Sequence, residues 1–156
     1  MAQTDTLYLD NNHEVLRFSD LVVGEGVQAN QFCIRHGDRA ALIDPGGDLT
    51  YTPLTIALSR RISLDGLDYI LASHQDPDII ASLPRWLMHT RSQVVVSRLW
   101  SRFLPHLASS YVTGKMGEQL QSRIQGVADE GKVLPFADTE IWVLPAHFLH
   151  SVGNFS

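Results

Sequence analysis

The stretch Leu71–Trp86, LASHQDPDIIASLPRW, decides how this chain is read. An apolar run ends at Ser73, then His74, Asp76 and Asp78 follow at every second position, and residues of helical character begin at Ile79. In an extended turn alternate side chains point to the same side, so His74, Asp76 and Asp78 are placed to converge while Gln75 and Pro77 point away. Groups of this kind gathered without a cation repel one another or stay unsatisfied, and one or two divalent ions relieve both problems. A structural alternative stays open beside the metal site. In it, Asp78 is the N-cap of the helix beginning at Ile79, Asp76 supports the helix dipole, and His74 is a polar strand end.

Working outward, Leu67–Ser73 is a continuous apolar run of strand length, of the kind buried on both faces. The helix predicted over Ile79–Met88 is interrupted by Pro84, Val94–Val96 is a second buried strand, and RLWSRFLPHLASSY from Arg98 reads as helix. Upstream, a helix starts near Thr52-Pro53, where a threonine cap and a first-position proline are expected, and stops by Asp65-Gly66. Before it, strands at Leu7–Leu9, Glu14–Ser19, Gln31–Gly37 and Arg39–Gly46 form an antiparallel meander, with a hairpin turn at Gly37-Asp38.

Downstream, Thr113–Asp129 is mixed, with helical residues in GEQLQSRI. Lys132–Phe136 and Glu140–Ala146 are strands joined by a turn at Ala137-Asp138-Thr139. Strands first and then strand–helix alternation predict one α/β layered domain with a mixed sheet over residues 1–156.

The segment PAHFLHSVGN also follows an apolar strand, and it adds His147 and His150. Two strand ends presenting imidazole and carboxylate at one edge of a sheet is the arrangement expected of a site in a layered α/β protein. For each of the two histidines a loop side chain satisfied by backbone carbonyls is the alternative. His13, His36, His89 and His106 fall at turns or on helix surfaces and read as structural or solvent-facing.

Composition narrows the partners. The chain of 156 residues is 44% hydrophobic and 19% charged, which suits a globular domain with a real core. A net charge of -5 argues against nucleic acid or an anionic membrane as partner. Arg85, Arg91, Arg98 and Arg102, interleaved with Trp86, Trp100 and Phe103, read as a helical face packed on a sheet before a partner surface. Cys33 is the one cysteine, so an internal disulfide is excluded and a buried structural thiol is expected. The N-terminus carries no leader pattern and no run approaches the roughly 18 residues of a membrane span, so a soluble, cytoplasmic protein is expected.

The order of meander, DPGG after a strand, the His-x-Asp-x-Asp turn, helix, and HSxGN after a later strand resembles the metallo-β-lactamase superfamily. Within it, the chain is most similar to the flavodiiron-related branch and its flavin-free, oxygen-binding diiron relatives. The resemblance implies an αββα layered fold, of which residues 1–156 hold the first half. The family continues past HSxGN with another strand, a bridging aspartate and a last histidine ligand. The resemblance also implies metal ligation by His74, Asp76 and His150 at one iron, Asp76 standing for the more usual glutamate, and by Asp78 at a second. Asp44 and His147 are candidates to support those ligands through hydrogen bonds. Ile79 stands where a further histidine is usual.

What this implies is a non-haem diiron protein that binds dioxygen or nitric oxide, as a sensor or as an electron-accepting oxygen reductase. Any flavin would arrive on another chain, and a redox or signalling protein is the expected partner. Manganese or zinc remains open as the metal, though the loss of two imidazoles from the zinc-type turn favours iron. A metal-dependent hydrolase and a non-catalytic half-domain are the alternatives. If further sequence normally covers the sheet, an unpaired strand edge near Val143 predicts self-association.

Overall fold

Helices, a large sheet and a small sheet are laid one on another in the computed structural model, which describes residues 2–104, 118 and 121–146 and the backbone of 153–155. The chain begins with β1 (Gln3–Leu9), β2 (His13–Ser19), β3 (Gln31–His36) and β4 (Arg39–Ile43). Helix α1 (Asp48–Ser59) leads to β5 (Leu67–Ala72), and the short helices α2 (Pro77–Ile80) and α3 (Leu83–His89) lead to β6 (Gln93–Ser97). The one-turn α4 (Arg98–Ser101) follows, then β7 (Ile124–Val127), β8 (Lys132–Phe136), β9 (Thr139–Ala146) and β10 (Gly153–Phe155).

The seven strands β1 to β7 lie side by side in chain order, antiparallel from β1 to β4 and parallel from β4 to β7. The second sheet has the order β10-β9-β8. The mixed sheet expected from the change of period after Gly47 is present, and parallel pairing sets in at β4, where the first helical crossover begins.

Alternation along the central strands divides the core in two. Ile70 and Ala72 of β5 and Val94 and Val96 of β6 point to the helices, where they meet Leu54, Leu58, Leu83 and Trp86. Tyr69, Leu71 and Val95 point to the other face and pack on Leu134, Phe136, Ile141 and Val143 of the small sheet. Burial on both faces is why LDYILA and VVV are uninterrupted apolar runs. The Tyr69 hydroxyl also donates to the Pro135 carbonyl at 2.8 Å, tying the sheets together. Cys33 is buried in the helix-side core, and burial pushes its thiol up to about 12, as suits a structural residue.

Several expectations change. α1 begins at Asp48, ahead of Thr52-Pro53, because Thr50 and Tyr51 are buried and tertiary packing extends the helix backward through Pro53. The helix expected over Ile79–Met88 is two helices, with Pro84 in the first turn of the second, where its missing N–H costs nothing. The strand edge expected near Val143 is paired in part among the described residues: β8 runs along one side of β9, and β10 covers only Leu144–Ala146 on the other. β9 is the middle strand of its sheet, Val143 pairs with Lys132, and its side chain is buried. Among the described residues no helix is long and apolar enough to cross a membrane.

Candidate metal centre

The carboxyl ends of three neighbouring parallel strands supply the site. β4 ends into Asp44-Pro45-Gly46-Gly47, β5 into Ser73–Asp76, and β6 into α4 with Trp100. Loops at the carboxyl ends of parallel strands are where layered α/β proteins place ligands.

Asp44 fixes the start of the second loop. Its backbone lies in the left-handed region at φ 60, and its amide donates to the Leu71 carbonyl at 2.9 Å. One carboxylate oxygen accepts from the Ser73 amide and the other from the Ser73 hydroxyl, both at 2.8 Å. Burial pushes the Asp44 carboxyl above the ordinary carboxylate range, against the pull of the Ser73 bonds and the His74 imidazole.

The DPGG loop is then clamped to the turn carrying the aspartates. The Gly46 amide donates to the Ile79 carbonyl at 2.8 Å, and the buried Ser82 hydroxyl reaches the carbonyls of Pro45 and Gly46 at 2.7 and 2.8 Å. Gly46 has φ +79, and a Cβ there would sit 2.5 Å from the Thr50 Cγ2, so glycine is required. At Gly47 a Cβ would meet the Asp78 Cα and the Pro77 carbonyl, each at 3.4 Å, so the loops touch backbone to backbone.

His74 Nε2 stands 3.1 Å from Asp76 Oδ2, with the histidine side chain 11% exposed and the aspartate 48% exposed. Two donors bound to one ion at roughly 2.1 Å and at right angles lie about 3 Å apart, so this spacing suits a shared cation. The Trp100 ring sets its edge against the His74 imidazole, with ring centres 6.3 Å apart at 84°.

Asp76 occupies the N-cap position of α2, but its side chain makes no capping bond. Its carbonyl accepts from the Ile79 and Ile80 amides, while the carboxylate turns to His74. Asp78 is not the N-cap of the structural alternative. It lies in the first turn of α2, because helix begins at Pro77 and ends the every-second-residue alternation before Asp78 is reached.

Among the described residues no three metal-binding side chains are grouped closely enough to hold an ion. The described part of the candidate centre is therefore the His74–Asp76 pair, with Asp78 two residues on in the first turn of α2 and Asp44 bracing the start of the loop. His147 and His150 lie outside the described residues. Trp100 and Ser73 were not singled out as site residues from sequence. Ser73 is recognisable only through the carboxylate it binds, and Trp100 only through the adjacency of β5 and β6.

A family model described as ODP family beta lactamase matches residues 27–156. The chain belongs to that family. The ODP-family chain is 32% identical to the structure described as the peroxy diiron species of chemotaxis sensor ODP, with a TM-score of 0.78, over 98% of this chain and 57% of that one. The apo state of chemotaxis sensor ODP from T. denticola gives 30% identity and a TM-score of 0.77, over 99% of this chain and 58% of that one. A curated relative, diflavin flavoprotein A 4 of Synechocystis sp., is 32% identical over 101 residues, which is 61% of this chain and 17% of that protein. The metallo-β-lactamase-like layered fold expected from sequence is thus the one observed, and this chain spans just over half the length of the sensor structures it matches.

Proposed function

We propose that this chain contributes the first part of a non-haem diiron centre that binds dioxygen in an oxygen sensor, with His74 and Asp76 as its first iron ligands. The observation that carries the reading is the His74–Asp76 pair at 3.1 Å, with an Asp76 carboxylate that leaves the helix end beneath it uncapped. A carboxylate at an N-cap ordinarily bonds the helix amides, so its diversion to a neighbouring imidazole points to a shared ligand. Likeness over almost the whole chain to a chemotaxis sensor structure described as a peroxy diiron species supports the choice of metal and the sensing role.

The donor types suit iron. One imidazole and one carboxylate in contact, joined in this reading by Asp78, make a borderline-to-hard environment, which suits ferrous iron or manganese better than a histidine-rich zinc site. Ile79 is packed against the helix-side core and offers no donor, and that weighs against the hydrolase alternative. In this reading Asp78 and His150 complete the ligands, and His147 supports them. Bound there, iron would supply electrons and an open coordination position for dioxygen or nitric oxide.

The chain's own residues do the positioning. Asp44 holds Ser73, and through it the start of the His74 loop, with two hydrogen bonds. Trp100 sets its ring edge-on against the imidazole, which restricts its rotation. Such supporting groups fix ligand orientation and tune affinity. A signalling protein in the cytoplasm is the partner this reading requires.

The test is anaerobic loading with ferrous iron followed by exposure to dioxygen. A new visible absorption band that appears with dioxygen in the parent and not in Asp76→Ala supports the reading. A band of equal intensity in both, or iron binding without any optical response to dioxygen or nitric oxide, overturns it.

A further inference from the structure

At the end of the strands opposite the His74 loop, between β2 and β3 of the large sheet, two histidines meet, with an aspartate behind one of them. His13 opens β2 and His36 closes β3, and the antiparallel register sets the two directly across from each other. Their Nδ1 atoms are 2.7 Å apart, and the ring planes are tilted by 63° with centres 4.8 Å apart. The other nitrogen of His36, Nε2, stands 2.6 Å from Asp138 Oδ1, in the two-residue turn between β8 and β9.

A carboxylate accepts only, so His36 donates to Asp138 from Nε2. In that neutral tautomer the His36 Nδ1 carries a lone pair on the side of His13, and His13 donates to it from Nδ1. If its proton moves to Nε2, the other neutral tautomer, two imidazole lone pairs face one point.

We infer that His13 Nδ1 and His36 Nδ1 form a binding site for a late first-row divalent cation, with Asp138 orienting His36 from behind. Two nitrogens bound at about 2.0 Å in a tetrahedral zinc site lie roughly 3.3 Å apart, so the rings separate by about 0.6 Å and turn from facing each other to facing the ion. A carboxylate on the distal nitrogen is the usual companion of a metal-bound histidine, because it fixes the tautomer and makes the ligating nitrogen more basic. Asp10 adds negative charge nearby: its carboxylate, held below the ordinary range by the amides of His13 and Asn12 and by the Tyr8 hydroxyl, bonds the His13 backbone at 2.9 Å. Water completes the coordination from the side of the turn, where Asp138 is exposed. The cation replaces a proton bridge, and with both rings neutral at the start no net proton is released.

A consequence follows from the position of Asp138. It belongs to the small sheet and His36 to the large one, so the ion would tighten a contact between sheets at the end remote from the His74 loop. The site is independent of iron at His74.

The test uses the chain carrying His74→Ala, so that the first centre does not compete, with zinc ion alone as the probe. Nitrogen-15 spectra of the histidine rings are followed as zinc is added. Nδ1 of His13 and of His36 are expected to shift together and saturate at one equivalent, with Nε2 of His36 still protonated. Added His13→Gln should abolish the response at His36, and Asp138→Asn should weaken binding about 10- to 100-fold. Unchanged backbone amide spectra show that the variants are folded. The inference is overturned if the two rings respond to pH but not to zinc, or if His36 responds equally with and without His13.

Discussion

Asp44 carries the least comfortable charge near the candidate centre, and its pH behaviour is open to test. Its folded-state pKa is raised by burial above the ordinary value of 3.8, so the folded protein holds that proton more tightly than the unfolded chain does. The ionised carboxylate therefore opposes folding at pH values above the folded pKa, and the penalty fades as pH falls through it toward 3.8. Asparagine keeps an acceptor for the Ser73 amide and a partner for the Ser73 hydroxyl, and it tolerates the left-handed φ of 60. Metal-free Asp44→Asn is expected to melt higher than the parent at pH 7, with the gap closing as pH drops into the carboxylate range. A gap that does not change with pH would remove burial of the charge as its cause. At this scale the meeting of His74 and Asp76 was legible because alternate side chains on a strand end point to the same side. The geometry of Asp78 was not, since alternation says nothing about where helix takes over, and Trp100 meets His74 only through strand neighbours far apart in sequence.

The DPGG loop and the short helices α2 and α3 act as one piece at the level of elements. The buried Ser82 hydroxyl bonds the Pro45 and Gly46 carbonyls, and the Trp86 indole N–H points to the same Pro45 carbonyl at 3.4 Å. Ser82→Ala leaves those buried acceptors short of a donor and should cost about 1–3 kcal/mol of unfolding free energy in urea titration. It should also lower iron affinity, because the loop it releases rests against Asp78. A loss below about 0.5 kcal/mol, within the range of ordinary surface substitutions, would show that the clamp carries no strain. The doubly buried strands β5 and β6 were legible as apolar runs. β1 was seen only at Leu7–Leu9 although it spans Gln3–Leu9, because an edge strand exposed along nearly its whole length has no apolar periodicity. β7 escaped because its middle is Gln125-Gly126, and the glycine lets Arg98 of α4 approach to 3.3 Å of where a Cβ would stand.

In the molecule as a whole, two sheets enclose one core and helices cover the other, while among the described residues the outward face of the small sheet is exposed. Val133, Trp142 and Leu144 lie there, each about half exposed or more, with Val133 and Trp142 paired across β8 and β9. Self-association is therefore expected through this face. Light scattering should show concentration-dependent growth in the parent and a clear reduction in Trp142→Ser, and a monodisperse monomer at high concentration would exclude it. The layer order was legible from the switch between strand-only and strand–helix sequence. The order of the first four strands was legible as a meander and that of β8 and β9 as a hairpin, while the order of β4 to β7 was not, because parallel pairing depends on contacts between distant segments. The central claim, that the β5 loop is a metal centre, is tested most directly by counting iron after anaerobic ferrous loading and gel filtration of the parent, His74→Ala and Asp76→Ala. The parent is expected to retain iron and both folded variants to lose most of it. Equal iron in all three would contradict the assignment.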